Sequence, residues 1–375
     1  MDSGTVDRQC SYGRSSWTFA CPSSDAGWRL GLMGMDIVAE RLEPWLDEAA
    51  KSLEEQPIQL LRRGNTGTTR AADLGYLPLG VGFLVSFTKL DHVMQVLRSR
   101  TERKALPPAV MWFFAAEEPS VDTYTTWARN IRHHYAETKQ YIPQIWIQVG
   151  GSAVAALELA QSDAKPDALV VQGSDAGGHG MERGASIVGL IPETKSLFDR
   201  AYSGDRRPHL LASGGIVNAE GAAAALCLGA EGVIMGTRFL ASPETIVPHP
   251  EYRERVLAAK DGAQSTIRAK VFDELKGPNI WPAAYDGRAL VSKNWRDMHE
   301  GGVPIETIRE SVAKAAKDAD GGYGIGSDRA VVWCGTGVGL VNEMKKAGDV
   351  VVEVREGVST LLGTLRTNVD SVHAS

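Results

Sequence analysis

LLASGGIVNAEGAAAALCLGAEGVIMGTRFLAS, residues 210–242, reads as an apolar strand, a Gly-rich turn, an Ala-rich helix, a second apolar strand and a Gly-Thr turn opening onto a new helix. Two consecutive strand ends thus offer backbone N–H groups with almost no side chain in the way. Ser213, Gly214 and Gly215 form the first set, Gly236 and Thr237 the second. In a (β/α)8 barrel the loops after strands seven and eight, with a short extra helix, make the usual phosphate site. Helix N-termini favour anions because free N–H groups and the macrodipole act in the same direction. One Gly-Gly turn would serve equally well as a tight βα connection. Two of them, one βα unit apart, point to a bound phosphate.

Outward from that stretch, further short apolar runs read as buried parallel strands, each bounded by turn residues. They lie at 30–35, 78–85, 108–114, 144–149, 168–173, 209–215 and 232–237, with helices expected at 38–54, 120–139 and 152–161. Asn218 is placed to cap the helix that begins at 219, with Glu220 in its first turn. The fold expected is therefore an α/β TIM-type (β/α)8 barrel. Seven strands are legible and eight are needed, and the missing or replaced one is the first. Residues 1–28 are polar and hold only WTFAC, 17–21, as a weak strand fragment. Three regions are expected: 1–28, an atypical and poorly ordered N-terminus; 29–242, barrel strands two to eight with the phosphate site; and 243–375, a cap or lid excursion with C-terminal helices packing on the barrel. RRGNTGTTRAADLGY, 62–76, reads as an inserted surface loop, and 304–317 as a helix inside the excursion.

Composition narrows the function. With 375 residues, 43% of them apolar and 40 of them Gly, the chain fits a soluble α/β enzyme with many βα turns. A formal net charge of −6 argues against a nucleic-acid partner. No apolar run reaches the roughly 18 residues of a membrane span, and no secretory leader is legible, so a cytoplasmic location is expected. The four cysteines, Cys10, Cys21, Cys227 and Cys334, have no metal-type spacing, and Cys227 in its Ala-rich helix reads as core.

The strand ALVVQ is followed by GSDAGGHG, 173–180, a loop of small residues at the face where barrels do chemistry. His179, framed by Gly177, Gly178 and Gly180, is the candidate general base. Asp175 could orient it or merely close an Asx turn. Gln148 and Gln172 end neighbouring strands, where each could contact a heterocycle or simply pack. The tandem His133 and His134 fall on a charged helical face and read as solvated. No metal is expected, and no G-x-S-x-G elbow or P-loop is present. A phosphate site without metal or nucleophile implies a phosphorylated cofactor. Flavin mononucleotide (FMN) and pyridoxal phosphate both fit. The latter needs a Schiff-base lysine at a strand end, where none is clear (Lys89 lies just beyond one strand), so FMN is preferred.

The runs QGSDAGGHG (172–180), LLASGGI (210–216), GAEGVIMGTRFLAS (229–242) and WCGTGVGLV (333–341) resemble the nitronate monooxygenase family, formerly called 2-nitropropane dioxygenase. The resemblance implies an FMN-dependent TIM barrel that oxidises alkyl nitronates, such as propionate 3-nitronate, with O2. It implies that His179 is the base for neutral nitroalkanes, that Ser213, Gly214, Gly215, Gly236 and Thr237 hold the FMN phosphate, and that Gln148, Gly177 and Gly178 line the flavin ring. The family opens with a first strand and a Pro-Met loop on the flavin; here LGLMGMD, 30–36, corresponds to the second strand and no Pro-Met pair precedes it. An NAD(P)H-dependent FMN reductase of the same barrel type (enoyl-thioester or quinone) and a non-catalytic homologue are the alternatives. The sequence leaves the oligomeric state open.

Overall fold

A computed structural model describes residues 16–21, 26–34, 41–55, 58–62, 65–117, 120–203 and 206–373. In chain order the strands begin with β1 (Ser16–Cys21), β2 (Ala26–Gly34), β3 (Ile58–Arg62), β4 (Asn65–Thr69) and β5 (Leu77–Leu84). Next come β6 (Pro108–Phe114), β7 (Gln144–Gly150), β8 (Ala168–Gln172) and β9 (Gly178–Met181). The last are β10 (His209–Ser213), β11 (Gly232–Met235), β12 (Thr266–Ala269) and β13 (Tyr285–Leu290). Seven of them, β2-β5-β6-β7-β8-β10-β11, run parallel in that order and correspond to the seven legible runs.

The eighth position is filled by β1, which pairs antiparallel with both β2 and β11, as in Ser16↔Met33 and Thr18↔Met235. Without it, β2 and β11 would leave unpaired N–H and C=O groups along two edges. Its direction follows from the connection: residues 22–25 are far too few for the crossover that a parallel pair requires, so only a hairpin is open. Within the N-terminal segment expected to be irregular, Ser16–Cys21 and the start of β2 are thus strand, while 1–15 and 22–25 lie outside the described residues. The supposed surface loop at 62–76 holds β4, which pairs back on β3 as a hairpin from Ile58↔Thr69 to Arg62↔Asn65, and a short helix at Ala71–Leu74.

Alternation along the strands separates two apolar populations. Outward residues such as Val81, Phe113, Ile147, Val171 and Ala212 join the large core beneath the surrounding helices. Inward residues, among them Val110, Trp112, Trp146, Val170, Leu211 and Ile234, fill the barrel interior. Helix Ala219–Cys227 starts as expected, with Asn218 Oδ1 accepting from the Gly221 N–H at 3.0 Å. Cys227, expected in the core, is exposed, because the buried face of that helix falls to Ala222, Ala223 and Ala225. His134 is likewise no solvated residue. It shares a helical face with Trp127, Ile131 and Tyr135, is buried, and bonds Thr101 Oγ1 at 2.9 Å, while His133 stays exposed beside Glu137. Helix Ala347–His373 buries Val350, Val351 and Val354 against the barrel. Among the described residues, no helix is long and apolar enough to cross a membrane.

At the N-terminal end of the strands, Glu231 accepts from Arg207 and from His209 Nδ1, both at 2.6 Å. Burial pushes its carboxyl up, but the two hydrogen bonds outweigh burial and hold it at about 2, below the ordinary 4.5. The same bond raises His209 above 6.5. The Glu231 contribution to stability is therefore complete above pH 4.5 and is lost as pH falls through about 2. The His209 contribution is present in acid and is lost as pH rises through its raised pKa. Glu231→Gln is expected to lower stability at pH 5.5 by on the order of 2 kcal/mol. The variant should also lose less stability between pH 4.5 and 2.5 than the parent, read from urea midpoints.

Candidate active site

The mouth of the barrel is assembled by parity. Gln148, Gln172 and Ser213 are inward residues at the C-terminal ends of three adjacent strands, with Gln172↔Ser213 paired directly and Gly236 following the end of the next strand. They border a cavity of about 350 Å³. The Gly177–His179 run, Gly214, Gly215 and Thr237 line the same cavity, so the nine residues that the resemblance assigns to the site converge there, joined by Gln172.

The two Gly-rich turns present donors. Gly214 and Gly215 have φ of +107° and +75°, a region costly for residues with a Cβ. Among the described residues, no backbone acceptor takes the N–H of Gly214, Gly215 or Thr237. The Thr237 hydroxyl accepts from the Gly335 N–H at 2.8 Å, which leaves its own proton to donate. Donors without acceptors around a cavity fit a phosphate. Gly178, at φ +69°, would point a Cβ into open space, so the backbone there offers a ring system close approach. Gly177 is fixed by packing instead: a Cβ would lie 2.3 Å from the Cys334 carbonyl carbon. The WCGTG run therefore rests backbone to backbone on the AGGH loop.

Arginines from β12 and β13 hold that loop from behind. Arg268 and Arg288 sit opposite one another on β12 and β13. Arg268 Nη1 donates to Ala176 O at 3.3 Å and Arg288 Nε to Ser174 O at 3.2 Å. Gln172 donates to His179 O at 3.2 Å, which gives it a loop-positioning bond. Asp175, considered as the His179 orienter, accepts instead from Thr336 Oγ1 at 3.3 Å. Burial pushes the Cys334 thiol up to about 12, so it is neutral and no nucleophile. Tyr252 donates to Trp333 O at 2.9 Å, and burial raises its phenol far above the ordinary range. Among the described residues, no group of His, Cys, Asp and Glu side chains could hold a metal ion.

His179 lies on β9, which joins β13 and β12 in a small antiparallel sheet. Opposite it stands Gly287, where the Trp333 ring occupies the space a side chain would need. His179 Nε2 is 2.6 Å from Asp273 Oδ1, and both side chains are only 6% exposed. The imidazole stacks on Trp281 at 3.6 Å between centroids and 9° between planes, and Trp333 approaches at 4.7 Å. Asp273 and Trp281 carry no site mark in the sequence, and Trp333 stands there only as the first residue of the WCGTG run. Asp273 is separated from His179 by 94 positions and sits in a charged four-residue helix, Val271–Glu274, that carries no local mark of a site.

The family profile described as nitronate monooxygenase matches residues 125–357. Nitronate monooxygenase npaC of Metarhizium robertsii is 36% identical over 334 residues, spanning 89% of this chain and 85% of that protein. Among solved structures, nitroalkane oxidase from Streptomyces ansochromogenes superposes with a TM-score of 0.58 at 17% identity, covering 90% of each chain. FabK from Thermotoga maritima superposes with a TM-score of 0.56 at 24% identity, covering 78% of this chain and 79% of its own. Those two likenesses bear on the fold, and both agree with the barrel described above. The matched span holds the glycine turns, the AGGH loop and the WCGTG run, and the chain belongs to the nitronate monooxygenase family of flavin-dependent oxidoreductases.

Proposed function

We propose that this protein oxidises alkyl nitronates, propionate 3-nitronate among them, with O2 as acceptor and FMN as cofactor. The observation that carries the reading is the convergence, on one cavity, of uncommitted backbone donors at 214–215 and 237 with a buried His179–Asp273 pair. FMN, when bound, supplies the redox chemistry. Ser213, Gly214, Gly215, Gly236 and Thr237 would hold its phosphate, since short backbone donors suit an anion. Gln148, Gly177 and Gly178 would border its ring. His179 would take the α-proton from a neutral nitroalkane, a step that a nitronate does not need. The aromatic walls supplied by Trp281, Phe272 and Trp333 keep the proton transfer away from bulk water.

The visible spectrum tests the proposal. The purified protein, loaded with FMN, should show a flavin spectrum that bleaches anaerobically on adding propionate 3-nitronate and returns with air. Rapid bleaching by NAD(P)H with none by the nitronate would make the protein a reductase instead. A chain that takes up no FMN would overturn the cofactor assignment.

A further inference from the structure

We infer that Asp273 is the positioning residue of His179: it accepts the Nε2 proton, fixes the imidazole in that tautomer, and so makes Nδ1 the atom that takes the substrate proton. This inference rests on the base role proposed for His179. Two observations and one chemical constraint carry it. The Nε2···Oδ1 contact is 2.6 Å, as short as or shorter than ordinary charge-assisted bonds. An ionised carboxylate can only accept, so the ring nitrogen facing it carries the hydrogen and the lone pair falls to Nδ1. Trp281 stacks on one face of the ring and Trp333 tilts against it, which removes the rotation that would exchange the two nitrogens.

The other oxygen, Asp273 Oδ2, is buried and has no hydrogen-bond partner among the described residues. A carboxylate kept for packing alone would be costly in that state. It is stabilised once a positive charge forms beside it, and proton abstraction forms one. In that step the α C–H bond of a neutral nitroalkane breaks and its electron pair moves into the C=N bond of the nitronate. The proton bonds to Nδ1, and the imidazolium is held against Asp273. No electrons leave the substrate.

Other titratable groups share the cavity: Lys276, Arg329 and the phenols of Tyr252, Tyr285 and Tyr323 line it, and Arg329 is paired with Asp297 at 2.6 Å. Arg268, Arg288 and Asp286 belong to the opposite face of the small sheet, because they alternate with Gly287, the residue paired with His179. Asp175 is engaged with Thr336.

The test compares FMN-loaded parent, Asp273→Asn and His179→Asn on nitroethane and on its preformed nitronate. Asp273→Asn should lose roughly 30-fold or more in turnover on nitroethane, and at least about tenfold less than that on the nitronate. Its acidic limb in kcat/KM for nitroethane should move down by about one pH unit, since the carboxylate no longer favours the imidazolium. Independently of any folding defect, ¹⁵N NMR of His-labelled parent should show the Nε2–H tautomer for His179; the Nδ1–H tautomer would overturn the inference. If His179→Asn separates the two substrates and Asp273→Asn does not, the positioning role falls alone. If His179→Asn loses both alike, the base reading falls and takes this one with it.

Discussion

Gly215→Val should weaken FMN binding by at least about tenfold, since backbone donors lose their reach when a side chain occupies the approach. Gly215 adopts φ +75°, which a β-branched residue scarcely tolerates. Its added Cβ would also lie 3.0 Å from the Asp175 Cβ and 3.6 Å from Thr336 Oγ1. The new side chain would therefore press on the loop that carries Gly177 to His179 as well as on the donors of the turn. The measurement is equilibrium FMN binding by ultrafiltration, with circular dichroism as a check on the fold. FMN affinity equal to the parent in a folded variant would remove the phosphate from this turn.

The second large effect concerns His179. His179→Asn should cut turnover on neutral nitroalkanes by about 10²–10⁴-fold, the usual contribution of a positioned base. A nitronate arrives already deprotonated, so much of the activity on it should remain. The comparison is made at equal flavin content, because the imidazole also stacks on Trp281 and helps to wall the cavity. Parallel loss on both substrates would mean that the residue places ligand or flavin. No loss on either would return His179 to the status of an ordinary buried histidine.

How far the sequence could carry the reading depended on the range of the interactions. Parallel strands buried on both faces leave continuous apolar runs, and Gly-rich turns mark their ends, so β2, β5 to β8, β10 and β11 were legible with only their limits displaced. The two Gly-rich turns and the AGGH loop were legible for the same reason: each is a local motif attached to a strand end. The antiparallel β1 was not. A six-residue strand leaves little local signal beyond the weak fragment at 17–21, and Ser16–Cys21 owes its conformation to pairing with β2 across a hairpin and with the distant β11. Asp273 escaped for a related reason. Phe272 and Leu275 pack into a satellite apolar cluster, and Asp273 beside Phe272 lines the cavity, a placement set by that packing and not by any local motif. His134 shows the opposite error, in which a polar pair was judged by type and not by its place on the buried face of the helix.

The shared inward parity of Gln148, Gln172 and Ser213 has a consequence for how such a chain can change over time. Because strand side chains alternate with a period of two, one inserted or deleted residue within β7, β8 or β10 would turn the polar group at its end out of the mouth and bring an apolar neighbour in. Exchange of one side chain for another leaves that frame intact. Changes of length are better absorbed by the connections, and in the long stretch between the last parallel strand and the C-terminal helix only away from Asp273, Trp281 and Trp333, which wall the cavity.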